Sequence, residues 1–317
     1  MQLLTDQTRL LGYLDAFYDT VAEEPAGDGW LVDARLGPGD GMARDAWGVA
    51  RALDAERRVI RLRADDVDGL AVTVRKCLRE AMVDYCERRG YTMLHASAFA
   101  DADRAIVVVG DKGSGKTTLA LRACLLDGFR YIANDHLIAY MEGGGLVLTS
   151  LPTLIPVKVG TFLDLEALLP KPWDCEGVDV DAYRGMPAAE RYRHQARLLY
   201  TYRQLGQPNP VTIRIGEPAG PRLAVVFARY GQQPQVSVVS SVQGPDALME
   251  HVRTDWMFNP NLNQRYLARD ERGAPQYLSD ARGLVEEITR RADVLTHTHR
   301  GEPGPLLAAL NEMWTTS

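Results

Sequence analysis

Lysine is nearly missing from this chain. Only five of its 36 Lys+Arg residues are lysine (Lys76, Lys112, Lys116, Lys158 and Lys171), so a motif that insists on lysine is more informative here than usual. Cysteine is scarce too. Cys77, Cys86, Cys124 and Cys175 form no C-x-x-C pair and have no histidine at ligand spacing, which argues against a zinc site or a disulfide framework and predicts a reduced, cytoplasmic setting. No apolar run reaches the roughly 18 residues a membrane helix needs, and Met1-Gln2-Leu3-Leu4-Thr5-Asp6 lacks the basic and apolar regions of a secretory leader, so neither membrane nor export is expected. Positive charge is outweighed: 36 Lys+Arg against 42 Asp+Glu leave a net charge of −6, without the electrostatic footprint of a nucleic-acid binder. Repeats, low-complexity tracts and clear linkers are absent as well. What the chain does have is length, 317 residues with 46% hydrophobic, enough for a large buried core in one large domain or two ordinary ones.

The periodicities divide it into a small N-terminal α+β region over residues 1–66 and a larger domain over 67–317. In the first, the largely apolar stretch Leu10 to Ala22 precedes turn-rich residues Glu24 to Trp30, a strand-like run Trp30 to Leu36, a Gly/Pro/Asp loop at Gly37 to Gly41, and Val59-Ile60-Arg61-Leu62-Arg63, which alternates as a half-buried strand does. Leu70 to Arg89 reads as a helix. Val74, Cys77, Leu78, Ala81, Met82 and Tyr85 share its apolar face, Glu80 and Glu87 fall mostly elsewhere, and Gly90 is a C-terminal stop. Tyr91 to Phe99 is strand-like, and Ala105-Ile106-Val107-Val108-Val109, apolar on both faces, indicates a strand inside a covered sheet. Thr117 to Leu126 follows as a helix and Tyr131 to Ala133 as a strand, a βαβ-type unit whose strand adjacency the order alone leaves open. Leu137 to Leu148 looks like a hairpin, Ala188 to Leu205 an Arg/Tyr-rich helix, Arg222 to Tyr230 and Gln235 to Val242 strands, and Leu284 to Arg291 and Pro305 to Trp314 helices.

Between the buried strand and its helix lies Gly110-Asp111-Lys112-Gly113-Ser114-Gly115-Lys116-Thr117, a match to G-x-x-x-x-G-K-[ST] in the setting that motif requires. At this chain's glycine and lysine frequencies a chance match is expected only about three times in a thousand such sequences. Gly110, Gly113 and Gly115 let the backbone curl so that successive N–H groups and the helix N-terminus face an anion. Lys116 adds a mobile charge for β- and γ-phosphate oxygens, and Thr117 a hydroxyl for Mg²⁺. Thr118 follows in the first helical turn. Asp111, Lys112, Ser114 and Thr118 complete the candidate nucleotide-binding set. A carboxylate is then needed at the end of a second strand, and Tyr131-Ile132-Ala133-Asn134-Asp135-His136 supplies Asp135 as metal ligand or catalytic group.

Three features in order, Leu94-His95-Ala96-Ser97 before the motif strand, the loop Gly110 to Thr117, and Ile132-Ala133-Asn134-Asp135 some eighteen residues after Lys116, resemble the HPr kinase/phosphorylase family and its bacterial relatives, whose cores are similar to phosphoenolpyruvate carboxykinase. The resemblance covers about Leu70 to Tyr140. It implies an α/β fold, a P-loop kinase core with a mixed sheet and flanking helices, behind a small N-terminal α+β lead-in. It also implies ATP (or GTP) and Mg²⁺ as cofactors, a cytoplasmic enzyme that phosphorylates a hydroxyl, and His95 beside the transferred group, assisting an aspartate. Two departures stand out. Where the family carries paired aspartates this chain has Asn134-Asp135, and an amide cannot take a proton. The family's signature loop for its protein substrate is not recognisable in Leu151 to Asp181. The acceptor is therefore expected to be a small molecule or peptide rather than HPr, with Asp135 or His95 as base; a nucleotide sensor with little transfer is the alternative, and homo-oligomerisation stays open. For acceptor recognition, Arg191, Arg193, Arg197 and Arg203 with Tyr192, Tyr200 and Tyr202 suggest a basic aromatic helix, and Asp255 to Asn261 an apolar cluster in a loop.

Overall fold

Two units separate in the computed structural model, Met1–Gly90 with Thr254–Gly273, and Tyr91–Arg253 with Ala274–Ser317. The structure describes residues 1–19, 29–175, 177–207, 211–216, 220–231, 233–239, 244–258, 265–268 and 272–316. Most of the expected turn at Glu24 to Trp30 and the ends of the stretches Leu10 to Ala22 and Gln235 to Val242 lie outside them.

The first unit contains β1 (Gln2–Leu4), α1 (Thr8–Leu14), β2 (Leu31–Leu36), β3 (Ala43–Arg44), β4 (Ala50–Asp54), β5 (Val59–Ala64) and α2 (Val67–Arg88), its strands ordered β1-β2-β5-β4-β3. The alternation of β5 is realised in full: Ile60 and Leu62 are buried opposite Val32 and Ala34 of β2. α2 starts where the Asp66 side chain accepts the N–H groups of Asp68 and Gly69 at 2.9 and 2.8 Å, and stops at Gly90, whose φ of 73° suits glycine. Two carboxylates on α2 depart from expectation, for Glu80 and Glu87 are 1% and 3% exposed. Glu80 Oε2 accepts the backbone N–H groups of Tyr266 and Leu267, and Glu87 pairs with Arg272 at 3.4 Å. Buried carboxylates need such partners, which ties the segment Thr254–Gly273 back to this unit. The unit accordingly extends beyond residue 66, where the sequence reading draws its boundary. The described part of the apolar cluster at Asp255 is a short helix, Thr254–Phe258, and not a loop; residues 259–261 lie outside the described residues.

The second unit carries β6 (Thr92–Leu94), β7 (Ser97–Ala100), β8 (Arg104–Val109), α3 (Lys116–Leu126), β9 (Arg130–Ala133), β10 (Leu137–Glu142), β11 (Gly145–Ser150), β12 (Ile155–Lys158), β13 (Arg197–Tyr200), β14 (Ile213–Ile215), β15 (Arg222–Tyr230), β16 (Gln235–Val238) and β17 (Ala292–His299). A six-stranded mixed sheet, β16-β17-β15-β8-β7-β9, is joined by a four-stranded antiparallel sheet, β14-β11-β10-β6, and the pair β12-β13. Ile106, Val108, Ala224 and Val226 of the large sheet form one core with Leu119, Ala120 and Ala123 of α3.

Two expectations are corrected here. Tyr91 to Phe99 is not one strand: β6 belongs to the small sheet and β7 to the large one, with His95 and Ala96 at the passage between them. Ala188 to Leu205 is not one helix. It holds a single turn, Ala188–Arg191, and then β13, because Leu198 and Tyr200 bury themselves opposite Val157 and Ile155 of β12, tertiary packing overriding the charged helical pattern. Arg193 and Arg197 therefore share no helix face. The two later strands read from the sequence, β15 and β16, are not neighbours in the sheet. Both pair with β17, which sits between them and which periodicity passes over because the helix Ala274–Arg291 runs into it without a glycine or proline and most of its residues are Thr, His, Asp or Ala.

Candidate functional site

Strand direction assembles the site. β8, β15 and β17 are mutually parallel, and β9, antiparallel to β7 as β8 is, points the same way. The segments that follow β8, β9 and β17 and the segment that enters β7 thus meet at one edge of the sheet, outside the carboxyl ends of its parallel strands, where open α/β sheets place their ligands.

The glycine-rich loop from Gly110 to Gly115 leads from β8 into α3. At Gly110, with φ 144°, a Cβ would lie 2.5 Å from the Ala228 carbonyl oxygen; at Gly115, with φ 89°, it would lie 2.6 Å from Cε1 of His299. Both positions exclude any side chain on conformation and on space. Lys116 turns back into the loop, its Nζ donating to the carbonyls of Gly110 at 2.7 Å and Asp111 at 3.3 Å. Burial lowers its affinity for a proton, Asp135 and Asp111 pull the other way, and Arg253 adds to the lowering, with a net shift below the ordinary lysine value. Ser114 is buried with its hydroxyl unpartnered, whereas Asp111, Lys112 and Gly113 are exposed. Thr118 faces the interior, where its hydroxyl shares a 2.7 Å hydrogen bond with Thr161. Only its backbone remains for the loop.

Thr117 reaches the second strand. Its hydroxyl donates to Asn134 Oδ1 at 2.9 Å, an oxygen that also accepts from Tyr131 OH at 3.0 Å, while the Asn134 N–H donates to Tyr202 OH at 3.0 Å. Asn134, 1% exposed, is thereby locked beneath the helix start. Asp135 then turns outward. The His136 N–H donates to the Asn134 carbonyl at 2.8 Å, closing a three-residue turn that holds Asp135 at φ 62°, a conformation a non-glycine residue adopts at some cost. Its carboxylate meets His95 Nε2 at 3.3 Å, each side chain 37% exposed. Burial raises the Asp135 carboxyl, but the hydrogen bond and charge of His95, with His136 and Lys116, outweigh it and hold the group below the usual carboxylate value. It is ionised at neutral pH.

Four further residues belong here that sequence reasoning missed. The His95 N–H donates to the His251 carbonyl at 2.7 Å and the Arg253 N–H to the Met93 carbonyl at 2.9 Å, so residues 251–253 line up antiparallel to β6 and fix the passage that carries His95. Arg253 also donates to the Asp135 carbonyl at 3.1 Å, bracing the turn. His299 packs under Gly115, accepts the Gly301 N–H at Nδ1 over 2.8 Å and stacks on His297 at 5.1 Å. The His-Thr-His alternation of β17 was the available signal for the last pair; nothing local marks His251 or Arg253.

These rings set an acid limit. Burial, then the charges of Lys116 and His95, pushes His251 down to about 4; burial, then His297, pushes His299 down to about 4. An unfolded histidine titrates near 6.5. Between these values the unfolded chain binds more protons, so the stability is whole above pH 6.5 and falls as pH drops towards 4, by up to about 1.4 kcal/mol per pH unit for each ring. Urea unfolding at pH 7, 5.5 and 4.5 is expected to show that decline and His299→Gln to flatten it; a wild-type stability level across the window would refute the linkage.

Among the described residues no group of three or more His, Cys, Asp or Glu side chains could hold a metal ion, and no helix is long and apolar enough to cross a membrane. All four cysteines are free. No family model matches the chain, and no curated protein matches it either.

Proposed function

We propose that this chain is a P-loop phosphotransferase of the HPr kinase type, moving the γ-phosphoryl group of ATP or GTP to a hydroxyl of a small molecule or peptide. The observation that carries the reading is one continuous line of side chains at the sheet edge: Lys116 in the glycine loop, Thr117 on Asn134, and Asp135 on His95. Loop N–H groups, the start of α3 and Lys116 suit a polyphosphate. The oxygens that would hold Mg²⁺ are Thr117 Oγ1 and the Asp135 carboxylate, since the Asn134 amide oxygen is already taken by two hydroxyls, and so small a set fits a hard cation that keeps substrate phosphate and water as its main ligands. When bound, Mg²⁺ neutralises charge on the β- and γ-phosphates.

In transfer, the acceptor oxygen bonds to the γ-phosphorus as the bond to the β,γ-bridging oxygen breaks, its electron pair leaving with the nucleoside diphosphate. The acceptor proton passes to Asp135, which is ionised and oriented by the His95 Nε2–H. Lys116 leaves its carbonyl partners for the phosphates.

Asn134 favours a second reading. An amide stands beside the Thr117 hydroxyl where the resemblance implies a carboxylate, as in a nucleotide sensor with little transfer. Incubation with γ-labelled ATP, Mg²⁺ and pools of metabolites and peptides separates the two. A kinase labels an acceptor, and Lys116→Ala lowers both binding and labelling by about tenfold or more. Binding without labelled product selects the sensor, and absence of binding refutes both.

A further inference from the structure

We propose, on the basis of the kinase reading, that the base of the donor nucleotide stacks on Tyr230 with Tyr192 beside it, and is held by its flat face, so that the site takes purine nucleoside triphosphates without selecting adenine over guanine. Strand alternation brings the ring to the site. Ala224, Val226 and Ala228 of β15 are buried in one core with α3, and Tyr230, next in the same row, is 47% exposed. An aromatic ring thus stands open where the buried row emerges at the carboxyl edge of the sheet, and strand register sets it level with His299 of β17. The two rings lie 6.5 Å apart, edge to face. His299 is also the ring beneath Gly115, where an added Cβ would meet its Cε1 at 2.6 Å. Tyr230 is therefore one side chain away from the glycine loop.

Sheet order gives the direction of the ligand. β7 and β9, beside which His95 and Asp135 stand, lie on one side of β8, and β15 and β17 lie on the other. A polyphosphate whose terminal group reaches Asp135 runs back across the loop towards β15 and β17, which brings its nucleoside to Tyr230. The loop after β17 borders the same place, since a Cβ on Gly301 would lie 3.0 Å from Cγ2 of Thr118 in the first turn of α3. Tyr192 supplies a second ring, 6.2 Å from Tyr230 and tilted by 32°. It is seated on the short helix Val159–Leu165: its hydroxyl donates to Asp164 at 2.5 Å, and a Cβ on Gly160 would lie 3.1 Å from its Cγ. The charged groups alongside are engaged with one another, Arg122 with Asp164 at 3.1 Å and with Glu302 at 3.3 Å. Ring faces, rather than a hydrogen-bonding edge, are what this side of the loop offers, and stacking tolerates any base because every base has a π-face.

The test titrates the full chain, with Mg²⁺ present, with ATP, with GTP and with inorganic tripolyphosphate, which keeps the phosphates and lacks the nucleoside. Calorimetry on the wild type is expected to give equal affinities for ATP and GTP and an affinity about tenfold or more lower for tripolyphosphate. Tyr230→Ala is expected to weaken ATP by about tenfold or more, towards the tripolyphosphate level, and to leave tripolyphosphate itself unchanged, which also shows that the variant is folded. Tyr230→Phe keeps the ring and is expected to keep the ATP affinity. Should Tyr230→Ala lose its native circular dichroism spectrum, Tyr230→Leu, which retains apolar bulk without an aromatic face, decides on the same readouts. The proposal is overturned if the wild type binds ATP no better than tripolyphosphate, if it prefers one purine by about tenfold or more, if the folded variant binds ATP as the wild type does, or if both ligands weaken together in it. A wild type that binds tripolyphosphate but fails these tests loses the base subsite alone; one that binds neither ligand loses the kinase reading and the subsite with it.

Discussion

Replacing Asp135 with asparagine is expected to lower kcat by roughly 10²- to 10⁴-fold, the range for loss of a positioned general base, with nucleotide affinity nearly unchanged. The substitution removes charge and proton affinity and little else. Asparagine tolerates the positive φ of 62° held at this position, and the Arg253 bond to the residue's carbonyl does not depend on the side chain, so the turn survives. The pH profile identifies the base independently. Because His95, His136 and Lys116 together outweigh burial and keep the Asp135 carboxyl below its usual value, the wild-type kcat is expected to be level from about pH 6 to 8, falling only on the acid side. A rise through about pH 6 to 7 that disappears in His95→Asn would transfer the role of base to the imidazole. Full activity in Asp135→Asn would remove the carboxylate from the chemistry altogether.

The parts of this site that lie close together in sequence were legible from it. An unbroken apolar run is recognisable by composition alone, and Ala105 to Val109 announced a covered strand, Gly110 to Thr117 its loop, and Tyr131 to Ala133 the strand end that presents Asp135. His95 was placed only through a family resemblance, and its pairing with Asp135 depends on β7 lying between β8 and β9, an adjacency that strand order along the chain does not determine. Arg253 and His299 were missed for a related reason. Each reaches the site from more than a hundred residues away by a strand pairing, Arg253 on β6 and His299 beside β15; nothing local marks the first, and the His-Thr-His alternation marks the second as a strand residue without saying which strand it joins. The misread helix at Ala188 to Leu205 follows from the same limit, since Leu198 and Tyr200 become strand residues only in the presence of Ile155 and Val157. Asn134 was noticed as a missing carboxylate. That its amide oxygen would be held by two hydroxyls, Thr117 and Tyr131, required the fold.

Gly115→Ala is expected to cost about 2 to 4 kcal/mol of stability and most of the nucleotide affinity. Two independent penalties meet at this residue. A φ of 89° disfavours any side chain, at about 1 to 2 kcal/mol, and the added Cβ would stand 2.6 Å from His299 Cε1. The ring has no easy retreat, since its Nδ1 accepts the Gly301 N–H at 2.8 Å and its face is stacked on His297 at 5.1 Å. The loop must move instead, and with it the N–H groups before Lys116. The double variant Gly115→Ala, His299→Ala separates the terms, because trimming the ring relieves the contact and leaves the backbone conformation strained. A coupling of about 1 kcal/mol or more in the double-mutant cycle, with part of the nucleotide affinity restored, is the expected result. Strict additivity of the two changes would mean that His299 does not support the loop, and that the cost of Gly115→Ala is conformational alone.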